Sequence, residues 1–135
     1  MSLLILTGQS GSGKSTAIRA LEDFGYFCVD NIPTALVDRL VDMIADEGAV
    51  ERVALVMDVR EPHFAEQAPA LLQRLRSGQH RLRVVYLEAT EPALVRRYSE
   101  TRRKHPMDDG SGLRKAIAHE REILAPLREL ADDAL

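Results

Sequence analysis

Short apolar runs alternate with longer amphipathic stretches along the whole chain. Leu3 to Thr7 is brief, apolar and followed by glycine, the pattern of a buried strand, and from about Ser15 to Phe24 the residues Ala17, Ile18, Leu21 and Phe24 recur at helical spacing. Gly25 supplies the helix stop, and Tyr26 to Asp30 gives a second apolar strand. After the turn at Asn31, Ile32 and Pro33, Thr34 is placed to cap a helix through Glu47, with Leu36, Val37, Leu40 and Ile44 as its apolar stripe and Gly48 as its end. Arg52 to Asp58 is a valine-rich run of the kind found in parallel strands covered on both faces. A helix from about Pro62 to Arg76 follows, ended by Gly78, and a fourth strand runs from Arg83 to Ala89. Glu91 and Pro92 open a further helix from about Ala93. The last helix is expected over Leu113 to Ala131, with Ile117, Ile123 and Leu124 on its apolar face and a kink at Pro126.

Strands alternating with helices predict the α/β class, with a mainly parallel sheet and right-handed crossovers. No internal repeat or Pro/Ser-rich linker divides the chain, so residues 1–135 read as one domain. Glu129 to Leu135 stops where the alternation would begin another strand, and the natural chain is therefore expected to continue.

Composition narrows the class. With 45% hydrophobic and 29% charged residues and no low-complexity tract, the sequence predicts a folded globular protein. No apolar run approaches the roughly 20 residues of a bilayer span, and the N-terminus lacks the basic region of a secretory signal, so no membrane association is expected. The one cysteine, Cys28, has no intrachain partner and fits a reducing cytoplasm, while nothing around it lowers a thiol pKa as a nucleophile would need. A net charge of -3 argues against a dedicated nucleic-acid binder. The four histidines, His63, His80, His105 and His119, lack ligand spacing, which argues against a zinc site, and His105 reads as a turn residue before Pro106.

The chemistry concentrates after the first strand. Gly8, Gly13, Lys14 and Ser15 satisfy G-x-x-x-x-G-K-[ST] between an expected strand and an expected helix, the context in which that spacing cradles phosphate. Glycines let successive backbone N–H groups turn inward around phosphate oxygens, and the helix N-terminus adds partial positive charge. Lys14 is then the group that reaches the β and γ phosphates, and Ser15 offers a hydroxyl to Mg²⁺. A glycine turn that binds nothing leaves that lysine and that hydroxyl unexplained. Asp58, at the end of an apolar strand, is the best second metal partner, with loop capping as the alternative. Asp30 ends the preceding strand at the same edge and competes for the role. Arg60 is suited to a phosphate, a carboxylate or a surface ion pair.

Arg96 to Lys104 carries five cations against one glutamate. On a helix Arg96, Ser99 and Arg103 share one stripe, while Leu94, Tyr98 and Arg102 share another. The spread fits a lid over a triphosphate, an RNA-backbone patch, or a solvated face. In the lid reading an arginine such as Arg103 assists catalysis, and an arginine on a transferring phosphoryl group is worth on the order of 10³ to 10⁵ in rate. The glycine- and aspartate-bearing stretch His105 to Gly112 would supply the joint.

The strings "TGQSGSGKSTAIRALEDFGYFCVDNIP", "DVR", "RRYSETRRKHP" and "AIAHEREILAPLRELAD" resemble the RapZ/YvcJ family of bacterial P-loop nucleotide-binding proteins over most of the chain. The resemblance implies an N-terminal P-loop domain of three-layer, kinase-like fold that binds ATP or GTP with Mg²⁺ and hydrolyses it slowly. It implies a nucleotide site of Gly8, Gln9, Ser10, Gly11, Ser12, Gly13, Lys14, Ser15 and Thr16, with the family's second nucleotide-site motif on Asp58, Val59 and Arg60. Family members carry a C-terminal half linked to amino-sugar phosphate sensing and to small regulatory RNA and its nuclease, partners expected only of the full-length protein. The last strand of the P-loop domain is expected to be missing, and the sheet edge so exposed predicts a homo-oligomer. The sequence thus supports a regulatory nucleotide-binding module with weak ATPase or GTPase activity, and as an alternative a small-molecule kinase that transfers the γ-phosphate of ATP. A pure RNA-binding module is disfavoured by the charge.

Overall fold

A computed structural model of the protein describes residues 1–101 and 104–135. Among the described residues the strands β1 (Ser2–Gly8), β2 (Phe27–Asp30), β3 (Arg52–Val56), β4 (Arg81–Leu87) and β5 (Asp133–Ala134) form one parallel sheet in the order β2-β3-β1-β4-β5. The run Leu3 to Leu6 is continuously apolar because β1 is central, with Ile5 level with Leu55 of β3 on one side and Val84 of β4 on the other.

The helices are α1 (Lys14–Asp23), α2 (Val37–Glu47), α3 (Phe64–Arg76), α4 (Glu91–Thr101) and α5 (Leu113–Leu130). Leu3, Ile5, Val53, Leu55, Val84 and Tyr86 share one face of the sheet and pack with Val37 and Val41 of α2, with Phe64, Leu71 and Leu72 of α3, and with Leu124 and Leu127 of α5. Burying each such side chain is worth about 1.5–3 kcal/mol. Helix α1 adds nothing to this cluster and packs on β1, β2 and β3 from the other face. The handedness of the crossovers explains the split: the chain crosses the sheet in one direction from β1 to β2 and in the opposite direction in every later connection. Helix α4 packs against α5.

Several local expectations shift. Thr34 does not cap a helix; it is buried, opens a short 3-10 turn (Thr34–Leu36), and donates its hydroxyl to Glu61 Oε2 at 3.0 Å. With α2 starting at Val37, Leu36 falls off the apolar stripe and is 52% exposed. Phe24, expected on the inner face of α1, is the C-cap residue and lies at the surface. Helix α5, by contrast, spans Leu113–Leu130 as expected, with Pro126 inside it.

The strand expected to be missing is present in short form. Asp133 and Ala134 pair with Val85 and Tyr86, and the Asp132 carboxylate accepts the Val84 N–H at 2.7 Å. No helix among the described residues is long and apolar enough to cross a membrane.

Candidate functional site

The site grows out of the end of β1. A Cβ on Gly8, whose φ is +140°, would stand 2.0 Å from the Leu87 carbonyl oxygen, so only glycine lets β1 leave the sheet this close to β4. Gln9 then fastens the loop: its N–H donates to the Leu87 carbonyl at 3.0 Å and its Oε1 accepts the Ala89 N–H at 2.9 Å. Gly13, with φ +107°, is the N-cap of α1 and turns the chain into the helix. The N–H groups of Lys14, Ser15 and Thr16 therefore open α1 without intrahelical partners, as the first turn of a helix must leave them.

Lys14 folds back across the loop. Its Nζ donates to the carbonyl oxygens of Gly8 (3.1 Å) and Gln9 (2.8 Å) and lies 3.9 Å from Asp58 Oδ2. Burial pushes the ammonium below its ordinary pKa, opposed by the charges of Asp58 and Glu120. Asp58 is 2% exposed, two residues past β3 and beside the loop because β3 neighbours β1. Burial alone would raise its pKa; the Arg60 guanidinium and the Lys14 ammonium outweigh that and hold it below the usual carboxylate range. Arg60 Nε donates to both Asp58 oxygens, at 2.8 and 3.0 Å, and its Nη2 donates to Asp30 Oδ1 at 2.9 Å. Arg60 is thus a bridge between two carboxylates at the strand ends.

The opposite wall, which carries Arg97 and Tyr98, is backed by buried groups. Glu120 of α5 is 0% exposed and accepts both the Ser10 N–H, on Oε1 at 2.8 Å, and the Ser10 hydroxyl, on Oε2 at 2.5 Å. Nε2 of His105 lies 3.4 Å from Glu120 Oε1, and its Nδ1 accepts the Met107 N–H at 3.1 Å. Its ring meets that of Tyr98 at a centroid distance of 5.2 Å. Tyr98 also covers the loop, since a Cβ on Gly11 would lie 3.1 Å from its ring. Arg97 donates to the Gly11 carbonyl. His105 does open a turn before Pro106, its carbonyl accepting the Asp108 N–H at 3.0 Å, and its side chain is buried in the packing behind the loop.

Between the walls, over the C-terminal ends of the strands, opens a cleft of about 450 Å³. It brings together Ser10, Gly11, Gly13, Lys14, Ser15, Asp30, Asp58 and Arg60 with Arg97, Tyr98, Thr101 and Lys104. Gly8, Gln9, Ser12, Thr16 and Val59 are not among its lining residues; Val59 packs against the core and Thr16 is exposed. Not every loop N–H turns inward: that of Ser10 goes to Glu120 and that of Ser12 to the Gln9 carbonyl at 3.1 Å. Arg103 and Arg102 lie outside the described residues. Cys28 lies away from the cleft lining, and burial and then Glu22 push its thiol pKa up. Among the described residues no group of three or more His, Cys, Asp or Glu could hold a metal ion, so a cation here would have to draw much of its coordination from a ligand.

Sequence reasoning passed over Glu120 and the covering role of Tyr98, and placed Arg97 only within the Arg96–Lys104 cluster. Glu120 left a signal: it falls between Ile117 and Leu124 on the buried stripe of α5, where a carboxylate without a partner would be costly.

A family model described as the RapZ-like N-terminal domain matches residues 1–134. A nucleotide-binding protein of Myxococcus xanthus is 49% identical over 133 residues, covering 98% of this chain and 46% of that protein. A nucleotide-binding protein of Geobacter sulfurreducens is 46% identical over 132 residues, again with 46% of its length covered. The chain thus spans just under half the length of these relatives. Among solved structures, a shikimate kinase from Acinetobacter baumannii bound to shikimate superposes with a TM-score of 0.64 at 19% identity, over 100% of this chain and 83% of that one. The shikimate kinase of Bacteroides thetaiotaomicron gives 0.65 at 18% identity, over 99% and 85%. At such identities the likeness is one of fold, a kinase-like α/β sheet.

Proposed function

The chain belongs to the RapZ-like N-terminal domain family, and from that premise we propose that residues 1–135 form a regulatory P-loop domain that binds ATP or GTP with Mg²⁺ and hydrolyses it slowly. The observation that carries the reading is Lys14. Its ammonium is buried against two loop carbonyls and Asp58 while the N–H groups opening α1 stand beside it, a set of donors suited to a polyphosphate. The phosphate chain would lie along Gly11, Gly13, Lys14 and Ser15. Arg97 would leave the Gly11 carbonyl for a phosphate oxygen.

The donor set fits Mg²⁺. One hydroxyl, Ser15, and one carboxylate, Asp58, are what a small cation needs when it keeps several waters and takes its other oxygens from phosphates. Bound there, the ion would neutralise charge on the phosphate oxygens. Because Arg60 occupies both Asp58 oxygens, Asp58 would act through water or after Arg60 has moved.

Calorimetric titration of Mg-ATP and Mg-GTP into the protein and into Lys14→Ala tests the assignment. Loss of one charge-assisted contact, about 1.5–3 kcal/mol, should weaken binding roughly tenfold or more. Equal affinity in the two proteins would remove the loop from the site.

A second reading, a small-molecule kinase, draws on the extent of the cleft, which continues past the loop to Asp30, Arg60 and Lys104 and leaves room for an acceptor. A metabolite screen that yields a stoichiometric phosphorylated product would favour it. Contact with regulatory RNA and its nuclease we assign to the rest of a full-length family member. Self-association we assign to the exposed edge of β2.

A further inference from the structure

Glu120 is a carboxylate where a leucine would complete the stripe of Ala116, Ile117, Leu124 and Leu127. Taking it out of water is expensive, and the buried groups that compensate are specific ones. Its two oxygens are spent on one residue, Ser10, which lies 110 positions away in sequence. Further along, Arg97 donates to the carbonyl of the Gly11–Ser12 peptide, and Tyr98 covers Gly11. His105 lies between Tyr98 and Glu120, its ring 5.2 Å from that of Tyr98 and its Nε2 3.4 Å from Glu120 Oε1.

We propose that Glu120 is a positioning residue for the glycine loop: by accepting the Ser10 amide and hydroxyl together, it fixes the Gln9–Ser10 peptide, whose carbonyl accepts from Lys14 Nζ and the Ser12 N–H, and so sets the curve that a polyphosphate meets. Nothing in this requires Glu120 to touch the ligand. With the Ser10 N–H committed to α5 and that of Ser12 to the Gln9 carbonyl, the backbone donors left for phosphate are those of Gly11, Gly13 and the first turn of α1. The loop is thereby open only from the side of the cleft. The inference rests on the polyphosphate reading for its consequence, but not for its geometry.

Glu120→Leu keeps the volume and apolar fit of the position and removes both acceptors; Glu120→Gln keeps the shape and one carbonyl acceptor. Amide hydrogen exchange is read at Ser10, alongside thermal unfolding and titration with Mg-ATP. In Glu120→Leu the Ser10 amide is expected to exchange roughly tenfold faster or more, as loss of a bond to a charged group implies. Mg-ATP affinity should fall in parallel, the unfolding midpoint should drop because both Ser10 donors lose their acceptor, and Glu120→Gln should recover part of these losses. Ser10 protection unchanged in Glu120→Leu overturns the proposal, as does a change in unfolding midpoint with protection and affinity intact. If Glu120→Leu does not fold, Glu120→Gln decides, with about fivefold faster exchange expected against none. A wild-type protein that binds no nucleotide would defeat the functional reading alone, because the exchange measurement still tests the positioning.

Discussion

The two walls of the cleft hold carboxylates in opposite ways. On one, Asp30 and Arg60 meet at the surface, with side chains 46% and 43% exposed, and Arg60 reaches inward to Asp58. Behind the other, Glu120 and the side chain of His105 are fully buried; Glu120 holds the loop at Ser10, and His105 backs Glu120 and Tyr98. The exposed pair can exchange its partners for a ligand at little cost, because water screens both charges. The buried set cannot, because an unpartnered carboxylate, N–H or hydroxyl in the interior is penalised in full. A wall that adapts therefore faces one that holds still.

The widest gap between the walls should appear on truncation. Glu120→Ala leaves the Ser10 N–H and hydroxyl unpartnered and opens a cavity, and should cost about 3 kcal/mol or more. Thermal unfolding should record it as a drop of order 10 °C. Asp30→Ala should cost no more than about 1 kcal/mol. Equal losses would break the comparison.

A smaller effect concerns acid. The folded pKa of Asp58 lies below its ordinary 3.8, so its contribution is present above pH 3.8 and is lost as pH falls through the folded value. Arg60→Gln removes the strongest of the lowering influences, and the acid unfolding midpoint should move up, with a loss near neutrality of about 1.5 kcal/mol. A pH titration of unfolding in the two proteins reads this directly. An unchanged acid limb would mean that Lys14 alone controls Asp58.

Lys14 gives a slope of the same sign for the opposite reason, because burial disfavours its charged form. Its folded pKa lies below 10.5, so the unfolded chain binds the proton more tightly, and stability should rise with pH from the folded value up to 10.5. Lys14→Met should flatten that rise and leave the ligand-free protein within about 1 kcal/mol of wild type. The smallest effect is that of Arg97→Met: an exposed contact to the Gly11 carbonyl is worth about 0.5 kcal/mol in stability. Denaturant titration should barely register it.

Much of the fold was legible because it is written locally. The apolar runs at Leu3 to Leu6 and Val53 to Val56 mark central strands, and Gly8, Gly13 and Lys14 mark the loop between strand and helix. Where local signals misled, a long-range partner had intervened: Thr34 gave its hydroxyl to Glu61 rather than to a helix end, and Asp133 and Ala134 became a strand because β4 offered them an edge. The open wall was readable residue by residue, since Asp30 ends β2, Asp58 and Arg60 follow β3, and a parallel sheet brings strand ends to one rim. The buried wall was not, because Ser10 and Glu120 are joined by no pattern along the chain.

By itself the sequence determined the alternation of strands and helices, the glycine loop with its lysine, and the carboxylates at the strand ends, because periodicity and backbone freedom act over a few residues. Only the tertiary structure decided that Arg60 would bridge two of those carboxylates and that Glu120 would brace the loop from beneath. Those outcomes depend on which distant groups are left buried together, and the cost of leaving a buried polar group unpaired is settled only when the whole chain has packed.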